Sequence, residues 1–286
     1  MPDRASHLPP PPPGSVLRPV ERWHGARRRA GDDHVVEEVP VALVFNGQPF
    51  AVMMATPADL ADFALGFALS EAIVEGPREL EIEAVEPRIE GVEIRLRVPP
   101  GRAEALERRR RSMDARSGCG ACGGERLEAA LRYPPPVRGG VRVTAAALRR
   151  ALVELRRAQP IGALTGAAHA AGWAAPDGRL LLAREDVGRH NALDKLVGAL
   201  HGAGMDPAAG FLVVTSRASY EMAMKAATVG IAFMAAISAP TALAISLADR
   251  ANLTLVGFAR DDGQAVYTHA RRLLASAATG APEAAP

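Results

Sequence analysis

The chain has 286 residues, 48% of them hydrophobic, with a formal net charge of +2 and two cysteines. That suffices for a substantial core in one large domain or two modest ones. So mild a charge does not argue for nucleic acid, and no apolar run approaches the roughly 20 residues of a membrane helix.

The N-terminus has arginines and prolines but no apolar signal core, so no membrane and a reducing cytoplasm are expected, where a structural disulfide would not persist. Lys195 and Lys225 are the only lysines, and arginine carries the remaining basic charge. Base composition accounts for that bias, as does a preference for phosphate or carboxylate, which the guanidinium fork grips in two places.

Residues 1–33 contain the run Pro9–Pro13, scattered arginines and few apolar residues, and are predicted to be a disordered tail, as is 276–286. Between them the pattern divides into an N-terminal α+β part, 34–136, and an α/β part, 137–275. Val41–Phe45 and Pro49–Met54 flank Asn46-Gly47, the signature of a type I′ hairpin. Thr56 is predicted to cap a helix with Pro57 at its first position, its stripe formed by Leu60, Phe63, Ala64 and Phe67. Alternation over 80–84 and 92–98 predicts a second strand pair. A short basic helix, from Ala103 to about Met113, then leads into Ser117-Gly118-Cys119-Gly120-Ala121-Cys122-Gly123-Gly124.

That segment holds both cysteines among glycines, which predicts a mobile loop over 114–124. Two thiols separated by two residues can share a proton, form a disulfide, make half of a metal site or pass sulfur. Arg108–Arg111 make a solvated face, as such runs usually do, and can also hold positive potential near the thiols that favours the thiolate.

Beyond Pro134–Pro136, Thr144 is predicted to cap a helix that runs to Pro160. A hairpin follows, with strands near 167–174 and 180–183 joined at Pro176-Asp177-Gly178. Helices at 189–200, 220–229 and 241–250 then alternate with strands at 211–215, 231–237 and 253–259, predicting a parallel sheet covered on both faces. Ligands in such sheets collect beyond the strand carboxyl ends, at helix N-termini. Asp186, His190, Ser216, Arg217, Ser219, Thr241 and the stretch Phe258–Gly263 stand at those junctions. Together they suit a phosphorylated or nucleotide-like ligand. Singly, Ser216, Ser219, Thr241 and Asp186 are ordinary caps. No Walker or dinucleotide glycine motif is present.

Cys119-Gly-Ala-Cys122-Gly, Glu185-Asp-Val-Gly-Arg-His-Asn-Ala-Leu-Asp-Lys-Leu196, Thr215-Ser-Arg-Ala-Ser-Tyr-Glu-Met222 and Asn252-Leu-Thr-Leu-Val-Gly-Phe258 resemble the formate dehydrogenase accessory sulfurtransferase family, FdhD/NarQ. The resemblance runs from the Asn46-Gly47 hairpin to about His269. It implies a cytidine-deaminase-like, three-layer α/β/α domain beside the smaller α+β part, in a homodimer. It implies a sulfur carrier that takes persulfide sulfur from an IscS-type cysteine desulfurase. The sulfur would pass to the molybdenum (or tungsten) bis-pterin guanine dinucleotide cofactor, Mo-bisMGD, of the formate dehydrogenase catalytic subunit. A guanine nucleotide would mimic that cofactor. Cys119 would bear the persulfide and Cys122 assist, while Phe258, Ala259, Arg260, Asp261, Asp262 and Gly263 would contact the cofactor.

Two departures stand out. A Thr-Gly-Gly-Thr-His type segment is here Thr165-Gly166-Ala167-Ala168-His169, and Asp261-Asp262-Gly263 lacks a second base, leaving Arg260 to serve the phosphates. Three rival readings are a zinc site completed by His169, His190 or His201, a cofactor-holding chaperone and a deaminase. The last fails, because Gly118 precedes Cys119 and the required Pro-Cys-x-x-Cys is absent.

Overall fold

A computed structural model describes residues 10–106 and 131–275. The cysteine loop, most of the basic helix before it, and residues 276–286 lie outside them.

The first described element overturns the predicted N-terminal tail. Strands β1 (Ser15–His24) and β2 (Arg27–Val36) pair antiparallel along their whole length, forming a separate two-stranded ribbon. Its polar composition conceals charge pairs across the strands: Arg22 meets Asp33 at 2.8 Å and Arg28 meets Glu21 at 2.9 Å.

Strands β3 (Val39–Phe45) and β4 (Gln48–Ala55) form the predicted hairpin, with Asn46 and Gly47 at φ of 48° and 77°. With β5 (Glu81–Arg88) and β6 (Gly91–Arg97) they make a four-stranded sheet in the order β4-β3-β6-β5. Between them helix α1 (Leu60–Ser70) starts at Asp59, not Thr56. Thr56 is diverted from capping because its N–H, hydroxyl and carbonyl all bond to groups about 130 positions further along the chain. Residues 100–106 are helical.

The second part opens with the short strand β7 (Val143–Thr144) and helix α2 (Ala145–Arg157), capped as predicted by the Thr144 hydroxyl, which accepts from Ala147 N at 3.1 Å. Helix α3 (Pro160–Thr165) follows, and Glu185 caps it from a distance, its carboxylate accepting from the N–H groups of Ile161 and Gly162 at 2.9 and 2.7 Å. Then come β8 (His169–Ala174), β9 (Leu180–Asp186), α4 (Arg189–Gly202), β10 (Phe211–Val214), α5 (Tyr220–Thr228), β11 (Phe233–Ala236), α6 (Ala242–Arg250), β12 (Thr254–Arg260) and β13 (Gly263–Val266). Strand β14 (Leu273–Leu274) pairs with β7.

The main sheet runs β13-β12-β11-β10-β8-β9 and is mixed: the strands predicted to be parallel, β10, β11 and β12, are parallel, and the predicted β8–β9 hairpin and β13 join them in the same sheet. Only β10, β11 and β12 run parallel in sequence; β8 lies antiparallel to β9 and β10, and β13 to β12. The tight turns at Gly178 and Asp261-Asp262 leave no length for a crossover, so those neighbours must reverse.

Helices cover both faces. Leu212 and Val214 point into a core shared with α1, α4, α5 and α6, while Phe211 and Val213 point into another beneath α2. The first core also contains Val41, Leu43 and Ile94 of the small sheet, so apolar packing crosses the boundary expected at residue 136. Its tightest seam is α1 against α4, where Gly66 lies on the Asp194 carbonyl and Gly198 on that of Asp62.

Candidate functional site

The strand directions bring one set of ends to one edge. β10, β11 and β12 finish there, β9 finishes there because it is antiparallel to β8, and β8 begins there with His169 opposite Asp186. Helices α4, α5 and α6 each start from this edge, two of them capped as predicted: Ser219 accepts from Met222 N, and Thr241 from Ala244 N at 3.2 Å. Three helix N-termini with free first-turn N–H groups make the edge favourable for anions.

Arg217 is exposed there and has no acceptor among the described residues, and exposed Arg260 donates only a long bond, Nε to Ile237 O at 3.4 Å. Phe258 has φ of 50° and is 44% exposed, while its N–H donates to Ser238 O at 3.2 Å. An aromatic side chain held at positive φ marks a strained position kept by its surroundings. Ala259 turns its methyl into the core beneath α2.

Other predicted residues are turned to different tasks. Asp261 forms a two-pronged pair with Arg156 of α2 at 2.9 and 3.0 Å, while Asp262 and Gly263 form the turn into β13. Ser216 is buried, its hydroxyl donating to Arg217 O at 3.0 Å. His190 Nε2 lies 3.1 Å from Glu221 Oε2. Burial and then Arg189 hold both His190 and His169 below the usual imidazole range, favouring their neutral forms against the opposing pull of Glu221 and Asp186.

Asp186 lies under the edge rather than on it. Its side chain is 0% exposed and one oxygen accepts from Thr56 N at 3.0 Å and Lys195 Nζ at 2.7 Å, the other from Gly188 N at 2.7 Å and Asn191 Nδ2 at 3.0 Å. Lys195 donates also to the Thr56 carbonyl at 2.9 Å, and Asn191 to the Met54 carbonyl at 2.7 Å. The Glu185–Leu196 block therefore fastens the small sheet to the large one.

A second buried network centres on Lys225. Its ammonium reaches Asp194 at 2.9 Å, and Ser70 and Glu71 at 3.0 Å each, and lies 5.2 Å from the Phe67 ring centre. Burial works against that charge, but Asp194 and Glu71 outweigh it and hold Lys225 above its ordinary range. Burial likewise raises the Glu71 carboxyl, yet Lys225 and Arg132 bring it below the usual carboxylate range. Arg132 pairs with Glu71, and its carbonyl accepts from the Tyr220 hydroxyl at 2.8 Å. The first described residues after the cysteine segment are thus pinned to the end of α1 and to the first residue of α5.

Sequence reasoning missed three residues here. Lys195 and Lys225 had a signal, since an arginine-rich chain with only two lysines keeps them where a compact, strongly charged head is needed. The third, Arg189, sits between two noticed residues of the same block, and its Nε is buried without a partner among the described residues. No group of three or more His, Cys, Asp or Glu able to hold a metal occurs among the described residues.

The FdhD/NarQ family model matches residues 36–274, most of the chain. The chain belongs to the FdhD/NarQ family. A family relative from Xanthomonas campestris pv. campestris (strain B100), named sulfur carrier protein FdhD, is 59% identical over 270 residues, covering 94% of this chain and 96% of that protein. Another of the same name, from Cupriavidus necator, is 48% identical over 262 residues, covering 92% and 91%. The crystal structure of a candidate formate dehydrogenase accessory protein from Desulfotalea psychrophila shares the fold, with a TM-score of 0.71 at 24% identity, over 92% of this chain and all of that one. No helix among the described residues is long and apolar enough to cross a membrane.

Proposed function

We propose that this FdhD/NarQ chain is a sulfur carrier for formate dehydrogenase maturation, working in the reducing cytoplasm. Sulfur is taken from a cysteine desulfurase and given to the molybdenum or tungsten bis-pterin guanine dinucleotide cofactor. The observation that carries the reading is the juncture of Arg132 and Tyr220, because it ties the chain just beyond Cys119 and Cys122 to an edge that attracts phosphates. At that edge the unpartnered Nε of Arg189, with Arg217, Arg260 and Phe258, suits the nucleotide end of such a cofactor.

In the accepting step the Cys119 thiolate attacks the outer sulfur of the donor persulfide. One S–S bond forms as the other breaks, and the donor leaves as a thiolate with no net oxidation. In the delivering step Cys122 attacks Cys119 Sγ and expels sulfide, both cysteines being oxidised to a disulfide that a cellular dithiol reduces.

Incubation with a desulfurase and cysteine is expected to add about 32 Da, one sulfur, to the wild-type chain and none to a Cys119→Ala chain of unchanged thermal midpoint. A wild-type chain that gains no sulfur overturns the reading. Formate dehydrogenase maturation that persists with Cys119→Ala points instead to a chaperone that only holds cofactor.

The ribbon supports a homodimer. A two-stranded hairpin is marginal alone, and of this one only Ser15 and His34 are buried. Pro19 lacks an N–H and blunts the outer edge of β1, whereas the outer edge of β2 has no such guard. Residues 27–34 read Arg-Arg-Arg-Ala-Gly-Asp-Asp-His, so two β2 edges running antiparallel about a two-fold axis at Ala30 place Arg28 opposite Asp32 of the other copy. Arg28→Asp or Asp32→Arg alone is expected to yield monomer in light scattering, and the two together to restore the dimer. Dimers unaffected by either single change would sink this interface.

A further inference from the structure

The opposite edge of the main sheet, where β12 begins, holds a second basic site. An open cavity of about 520 Å³ is lined by Gly139, Gly140, Arg142, Asn252, Arg271 and Arg272. Three guanidinium groups line it, and no carboxylate does.

Arg272 is only 6% exposed. Its guanidinium donates to the carbonyls of Asn252 and Gly139, each at 3.0 Å, and to the Thr254 hydroxyl at 3.2 Å. These are dipoles, not counter-charges. Arg271 donates to Asn252 Oδ1 at 2.9 Å, and neither it, Arg272 nor Arg142 forms an ion pair with any described acidic residue. Burial, and then the neighbouring Arg271, pull Arg272 below its ordinary range, the sign of a cation without compensation. A buried charge left unpaired is strongly destabilising, so proteins rarely keep one without a partner.

The backbone adds donors. Gly139 and Gly140 have consecutive positive φ of 77° and 104°, and neither N–H donates to a described protein group. Both amides are therefore free to donate to a bound anion. The tightness is local: a Cβ on Gly140 would come within 2.4 Å of Ala232 Cβ and 3.3 Å of Arg272 Nε.

We propose that this cavity binds a phosphate group. Three guanidinium forks and two amides offer more donors than a carboxylate has oxygens to accept, and they match a tetrahedral dianion. Along β12, Thr254, whose hydroxyl Arg272 holds, stands four steps before Phe258 and six before Arg260, about 13 and 20 Å at roughly 3.3 Å per residue. The site is therefore independent of the cofactor edge and of sulfur transfer. The phosphate belongs either to the free ion or to a nucleotide, and the experiment separates these sources.

Calorimetric titration of the full chain in low salt, with inorganic phosphate and then guanosine diphosphate, tests the site. Arg142 and Arg271 are exposed, so a double Arg142→Ala/Arg271→Ala chain keeps its fold. It is expected to lose binding at least about 100-fold, two contacts at roughly tenfold each. Arg217→Ala/Arg260→Ala at the other edge leaves this component intact. Phosphate titration that depends on Arg142 and Arg271 assigns the free ion, and the same dependence for guanosine diphosphate alone assigns a nucleotide phosphate. If neither probe shows a component sensitive to the double change, there is no site.

Discussion

A Lys225→Ala chain is expected to lose about 3–5 kcal/mol of folding stability, the usual cost of leaving a buried charge without its partner. The Asp194 side chain is 1% exposed and draws on Lys225 for both of its oxygens, with Ser70 adding one further bond. Water does not replace that ammonium. A double Lys225→Met/Asp194→Leu chain is expected to recover most of the loss, since apolar groups of similar volume substitute for buried ion pairs at little net cost. The midpoint of urea unfolding, at constant slope, measures both. A single-variant loss below about 1 kcal/mol, the value of an exposed pair, would mean that the network is hydrated. The same substitution is expected to slow sulfur delivery, because Glu71 then holds Arg132 without Lys225 beside it.

The second large effect lies at the seam of α1 and α4. A methyl at position 66 would sit 1.7 Å from the Asp194 carbonyl oxygen, and one at position 198 would sit 1.9 Å from that of Asp62. The obstacle in each case is backbone, which cannot rotate away. Gly66→Ala and Gly198→Ala are each expected to cost at least the roughly 1–3 kcal/mol typical of overpacking. Gly202→Ala, at the end of the same helix with nothing within 4 Å of the added atom, supplies the control. It is expected to be neutral or to stabilise by up to about 1 kcal/mol, by restricting the unfolded chain. Thermal midpoints that fall equally in all three would rule out contact at the seam as the cause, since the change to Ala favours a helix by propensity.

What was legible in the residues was local. The Asn46-Gly47 turn and the caps Thr144, Ser219 and Thr241 act within three positions of themselves, and the alternation from β10 to β12 repeats every few residues. Thr56 and Asp186 were read as caps by the same logic and proved instead to bond each other across about 130 positions. Nothing in a short window reports such a bond. The N-terminal ribbon was misread because composition measures apolar surface, whereas its strands are matched by charge. The β8–β9 hairpin was read from its turn, but its place beside β10 in the main sheet was not, because that pairing joins strands distant in sequence. At the edge, Arg217, Phe258 and Arg260 stand where the junction rule put them. Asp186 ends β9 and Asp261 follows β12, so both reach these junctions, but their carboxylates are taken by distant partners, Thr56 and Lys195 for the one and Arg156 for the other.

The two buried lysines have one more consequence, for the chemistry of the molecular surface. Lys195 is 0% exposed and Lys225 is 5% exposed, and the chain has no other lysine. The folded protein therefore offers no lysine amine to acylating, carbamylating or cross-linking reagents, and no acceptor for enzymes that modify that side chain. Its outer cations are guanidinium groups, which stay charged at any pH a cell reaches. Lysine labelling of this protein would consequently be a record of unfolding alone.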